Sequence, residues 1–188
     1  MEKVISKTEY NRKDHKKFYR FHMFHRSKST YFILFIVLFV IVWTIYNTIN
    51  AQGEEFSSIM ILWAISAFTI MLIPMMMILQ INNIVKKESQ ERKDSIDIVT
   101  ANKHKIEKNS SHVEGKVVIG WHQVDAVYEN REFIYIYTGP QQGIFIKKED
   151  IIEGDVATFR KLAENNMKKN RKGKVKYRIR FRENKDEQ

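Results

Sequence analysis

The chain has 188 residues, with 32 Lys and Arg against 22 Asp and Glu and a formal charge of +10. It contains no cysteine, which excludes disulfides, thiolate metal sites and a cysteine nucleophile. The basic excess sits in the flanks: residues 1–28 hold nine bases and three acids, 168–188 hold ten and three, and 86–167 hold 13 and 14. Bases placed beside apolar segments report topology and anionic headgroups, so no nucleic-acid partner is expected.

Residues 1–28 read as a basic cytoplasmic arm. Within it, YNRKDHKKFYRFHMFHRSK (10–28) alternates bases with Phe18, Tyr19, Phe21 and Phe24. Read as a helix, it gathers Phe18, Phe21, His22 and His25 on one side, as an amphipathic helix at a membrane interface does. The alternative is an irregular solvated arm whose bases only set topology.

Two uncharged runs follow, Ser29–Gly53 and Phe56–Val85, separated by Glu54 and Glu55. Each exceeds the ~20 apolar residues that span a hydrocarbon core, and helices are expected at about 30–48 and 57–81. Pro74 removes one ladder bond from the second helix, which membrane helices tolerate. A secretory signal fits the first run poorly: it begins after 28 residues, lacks a small-residue cleavage site and is followed at once by a second span. Nine bases precede the first span, Lys86, Lys87, Arg92 and Lys93 follow the second, and the loop between has none. The positive-inside rule then predicts a two-span plasma-membrane protein with both termini cytoplasmic. Trp43, Tyr46 and Trp63 fall toward the outer interface and Tyr31 at the inner one.

Residues 86–167 suffice for one small domain. SIDIVT (95–100), VEGKVVI (113–119) and EFIYIYT (132–138) carry strand character, and Gly139-Pro140 turns the chain into a returning strand at 143–147. Helical spacing resumes after Asp155, a candidate cap, with Val156, Phe159, Leu162 and Ala163 on one face. The expected fold is a small α+β domain behind a membrane hairpin: an antiparallel sheet of about five strands closed by a C-terminal helix. Trp121, Phe133, Tyr135 and Phe159 are its expected core.

Little here points to catalysis. His22 and His25 are three apart without a matching third ligand, and His122 with Asp125 beside Trp121 reads as a polar turn. No nucleophile elbow, phosphate-binding glycine loop or zinc-protease motif occurs. No cofactor and no enzymatic activity are expected.

The tail KKNRKGKVKYRIRFR (168–182) holds nine bases and no acid: Lys168, Lys169, Arg171, Lys172, Lys174, Lys176, Arg178, Arg180 and Arg182. From Lys174 the bases alternate with Val175, Tyr177, Ile179 and Phe181, which in a strand separates a basic face from an apolar one. It suits an edge strand guarded by charge, a ribbon lying on anionic lipid, a disordered tail or a strand that docks a partner. The nine bases are candidate anionic-lipid contacts.

These features resemble the YcxB-like family of small Gram-positive membrane proteins. The matching segments are KDHKKFYRF (13–21), the two-helix hairpin, GWHQVDAVYENREFIYIY (120–137), IFIKKEDI (144–151) and the helix through Phe159. The weight of the resemblance falls on Trp121, Phe133, Tyr135, Tyr137 and Lys147. It implies a pleckstrin-homology-like domain on the cytoplasmic face and no activity, substrate or catalytic residue; the basic tail lies outside the shared pattern. The expected function is a non-catalytic, membrane-tethered interaction or regulatory module that docks an unidentified protein or a lipid headgroup. An immunity protein against a secreted membrane-active toxin is the alternative, and it places the contacts on the hairpin instead.

Overall fold

The computed structural model describes residues 2–51, 56–171 and 173–180. Two compact units emerge, one made of the described residues up to Phe18 and from Glu88 onward, the other of Tyr19–Lys87.

The second unit is helical. Helix α1 (Arg12–His25) starts in the first unit, and its later residues belong here, where Phe21 stacks on His25 at 4.7 Å. Helices α2 (Lys28–Asn50) and α3 (Phe56–Glu91) are both long and apolar enough to cross a membrane. They are apolar all round, and side chains such as Phe32, Phe35, Ile49 and Met71 are more than 60% exposed, a surface suited to lipid. Pro74 lies within α3. The acids expected in the loop, Glu54 and Glu55, fall outside the described residues.

α2 and α3 meet through hydroxyls. Thr44 and Ser66, both buried, bond at 2.6 Å, and Trp63 Nε1 donates to Thr48 Oγ1 at 3.1 Å. Partner numbers that rise on one helix and fall on the other define an antiparallel pair. In a double-mutant cycle, Thr44→Val and Ser66→Ala are expected to couple by ~0.6 kcal/mol, the average for interhelical bonds in a bilayer. Additive losses would remove this bond from the helix pairing.

The first unit is built on two sheets. One has the order β4-β3-β2-β1-β8, with β1 Lys3–Glu9, β2 Ile96–Asn102, β3 Lys105–Ser110, β4 Val113–Gly120 and β8 Ile151–Glu153, all antiparallel. The other has the order β7-β6-β5-β9, with β5 Ala126–Glu129, β6 Phe133–Tyr137, β7 Gly143–Lys147 and β9 Tyr177–Ile179. β9 runs parallel to β5 and the rest are antiparallel. Helix α4 (Val156–Asn166) follows, capped by Asp155, whose side chain accepts from Thr158 N at 2.6 Å.

Two features differ from the sequence reading, and a third is one of the alternatives that reading left open. First, residues 3–9 are not part of a free arm: they form an internal strand that pairs with β2 from Lys3↔Asn102 to Glu9↔Ile96 and with β8 on its other side. The two membrane-length helices are therefore inserted between neighbouring strands of one hairpin, and the domain begins at the N-terminus rather than at residue 86. Second, the described residues hold nine strands instead of about five, because β1, β3, β5 and β8 carry weak apolar alternation. Third, the tail contributes β9, a three-residue edge strand.

The main core draws on both sheets and on α4, joining Val4, Val99, Ile106, Trp121, Val127, Ile134, Ile136, Ile146, Phe159 and Leu162. Trp121 packs on Phe159 at 5.9 Å and donates its Nε1 to Asn102 O at 2.7 Å. Phe133 and Tyr135 are buried too, but not in this cluster. Successive strand residues face opposite ways, so Ile134 and Ile136 enter the main core while Phe133, Tyr135 and Tyr137 face away from it. The first turns of α1 cover that second face: Phe18 lies 5.9 Å from Tyr135, 6.2 Å from Tyr137 and 5.4 Å from Phe145. All five β6 residues are consequently buried. Gly154 has a positive φ of 77°, and a Cβ there would fall 2.5 Å from Lys3 O, so the turn before α4 can approach β1 only as glycine.

Candidate functional site: a charged clamp and a basic edge

Polar side chains concentrate where the chain leaves the sheet unit through α1 and returns through the end of α3. The pairing of Glu9 with Ile96 brings those two crossings together. Buried His15 on α1 places Nδ1 3.0 Å from Glu88 Oε2. Glu88 also accepts from Arg92 at 2.8 Å, Arg92 reaches Asp97 on β2 at 2.5 Å, and Asp97 receives Lys108 of β3 at 2.8 Å. Burial pushes the Asp97 carboxyl up, but Lys108, with Ser110 and Arg92, outweighs it and holds the group below its usual range. Beside this chain, Lys147 of β7 joins Asp14 at 3.2 Å and Glu149 at 2.5 Å, and Lys17 pairs with Glu132. From Glu88 through Arg92 and Asp97 to Lys108 the signs alternate, so each of these partly buried charges has an opposite neighbour, as burial of ions demands.

A second network lies on β5. The Glu129 side chain is fully buried and accepts from Arg160 at 2.8 Å through two nitrogens, from Lys148 at 2.5 Å and from Tyr177 OH at 2.7 Å. Burial alone raises such a carboxyl. Arg160, Lys148 and Tyr177 reverse that and bring it down to about 2. Burial and the nearby carboxylate push the Tyr177 hydroxyl well up, so it stays a donor. Glu129 thus ties α4, the turn after β7 and β9 to the centre of the sheet. Glu129 lies in the segment Gly120–Tyr137 that carries the family resemblance, but its role as a hub is not legible there, because its partners lie 19, 31 and 48 residues away.

The basic tail divides. Lys168, Lys169, Arg171 and Lys174 are exposed between α4 and β9, while Lys172 and Arg182 lie outside the described residues. Val175 and Tyr177 pack on the main core. Lys176 faces Asp125 at 3.6 Å, and Arg178 and Arg180 both sit over the Tyr128 ring, at 6.0 and 5.4 Å. The His122–Asp125 pair does not assemble into a catalytic group: both residues are exposed, and Asp125 is paired with Lys176. Among the described residues no group of three or more His, Asp or Glu is arranged to hold a metal ion.

Residues 102–163 match the family model described as YcxB-like protein. The match starts at the last residue of β2 and ends in α4; it contains Gly120–Tyr137 and Ile144–Ile151, and leaves out β1, both membrane-length helices and β9. No curated protein and no solved structure matches the chain.

Proposed function

We propose that this chain is a non-catalytic, membrane-tethered docking module, a two-span plasma-membrane protein whose pleckstrin-homology-like domain works at the cytoplasmic face. The observation that carries this reading is the insertion of both membrane-length helices between paired strands β1 and β2. A domain split in this way is tethered at two crossings rather than one. The polar clamp from His15 to Lys108 joins the start of α1 and the end of α3 to β2 and β3. Strands β1 to β4 in one sheet, β5 to β7 in the other, the short β8 returning to β1 and then α4 form the order that supports the pleckstrin-homology-like assignment.

The bases before Thr30 and after Val85 set the orientation. Reporter fusions at residues 1 and 188 are expected to read cytoplasmic at both ends. An external reading at either end overturns the topology and with it the inward-facing module.

A further inference from the structure

We infer that Arg178 and Arg180, held together on the ring of Tyr128, form a binding site for the phosphate of an anionic lipid headgroup. This rests on the docking-module reading and gives that module a ligand and a place to bind it.

The site is built from the strand upward. β9 is fixed to β5 by Val127 N donating to Lys176 O at 3.0 Å and Arg180 N donating to Glu129 O at 2.8 Å. Tyr177, between the two bonds, is anchored below the sheet on Glu129. Residues 178 and 180, two apart in a strand, must then leave on the same face. That face presents Tyr128, 4% exposed, directly opposite Arg178 in the parallel register and braced edge-on by Tyr137 at 5.8 Å.

A buried ring under two exposed guanidiniums is a platform. It orders two long side chains that would otherwise lose rotamer freedom on binding. A guanidinium presents its donors as a planar fork that matches phosphate oxygens. Lys176, drawn to Asp125, contributes less. The lipid source is favoured over free phosphate because the same chain carries two helices able to cross a membrane, which holds headgroups at high effective concentration.

The test uses the full chain in nanodiscs, with an environment-sensitive fluorophore on Ile179→Cys; the chain has no other cysteine and Ile179 is 47% exposed. Replacing pure phosphatidylcholine by a mixture with phosphatidylglycerol is expected to shift the probe's emission. Salt should reverse the shift, since the attraction decays over ~8 Å at physiological ionic strength. Arg178→Gln with Arg180→Gln should abolish it, Arg178→Lys with Arg180→Lys should reduce it, and Lys168→Gln with Lys169→Gln should leave most of it. No shift, or an equal shift in the double Gln variant, overturns the site. Full retention in the double Lys variant overturns the guanidinium fork. An equal shift when inorganic phosphate is added to phosphatidylcholine discs reassigns the site to a soluble anion and overturns the lipid source. Both leaflets of a nanodisc are alike, so these outcomes do not depend on the topology that the fusions test.

Discussion

Deleting residues 2–9 is expected to unfold the sheet unit of the full-length chain, although these residues precede the family-matched segment by more than ninety positions. β1 is internal: it pairs with β2 along its whole length and with β8 on the other side. Without it β8 loses the strand it pairs with and β2 loses one of its two. Each net backbone hydrogen bond contributes ~1 kcal/mol, and burying Val4, 1% exposed, adds ~1.5–3 kcal/mol. The sum rivals the ~5–15 kcal/mol that stabilises a whole domain. In detergent, trypsin and amide exchange should open β2 to β7 in the deletion variant while the parent stays protected, and a peptide of residues 2–10 added in excess should restore some protection. A fragment starting at Lys86 should fail for the same reason. Protection of β2 to β7 without β1 would refute the strand's structural role.

That strand also shows where the sequence was silent. The hairpin was legible because twenty apolar residues in a row have few alternative fates, and β6 and α4 because aromatic alternation and 3,4 spacing are strong local signals. In β1 the inward positions are Val4, Ser6 and Thr8, two of them hydroxyls that lie 3.3 Å apart, so apolar alternation is almost absent. Its surroundings are basic and it lies 87 residues from its main partner's start, a separation that local pattern cannot bridge. Strand alternation places Phe133 and Tyr135 in one core with Trp121 and Phe159; both are buried, but on the face opposite Ile134, because α1 covers that face. The basic alternation of 174–181 spoke for an edge strand. The parallel partner β5 and the Tyr128 platform needed the fold.

Glu129→Gln is expected to cost ~3–5 kcal/mol, because it leaves Lys148 and Arg160 facing a neutral group inside the sheet. The pH dependence gives a second, independent reading. The native carboxyl titrates at about 2 against an ordinary 4.5. A depressed native pKa contributes stability that is complete above the ordinary value and is lost as pH falls from about 4.5 toward 2, by ~3 kcal/mol for this shift. The Gln variant has no proton to gain at this position. The stability gap between parent and variant should therefore be widest at neutral pH and narrow as pH falls through that window, as measured by denaturant titration of the full chain with Trp121 as sole tryptophan after Trp43→Phe and Trp63→Phe. A gap that stays constant with pH would mean that Glu129 acts through packing alone. Replacing Glu129, Lys148 and Arg160 together by Met should recover most of the loss, since the cost arises from taking the carboxylate charge away from the two cations it binds. It should still loosen β9, because Tyr177 then has no acceptor beneath the sheet and the arginine pair above Tyr128 loses the strand that aligns it.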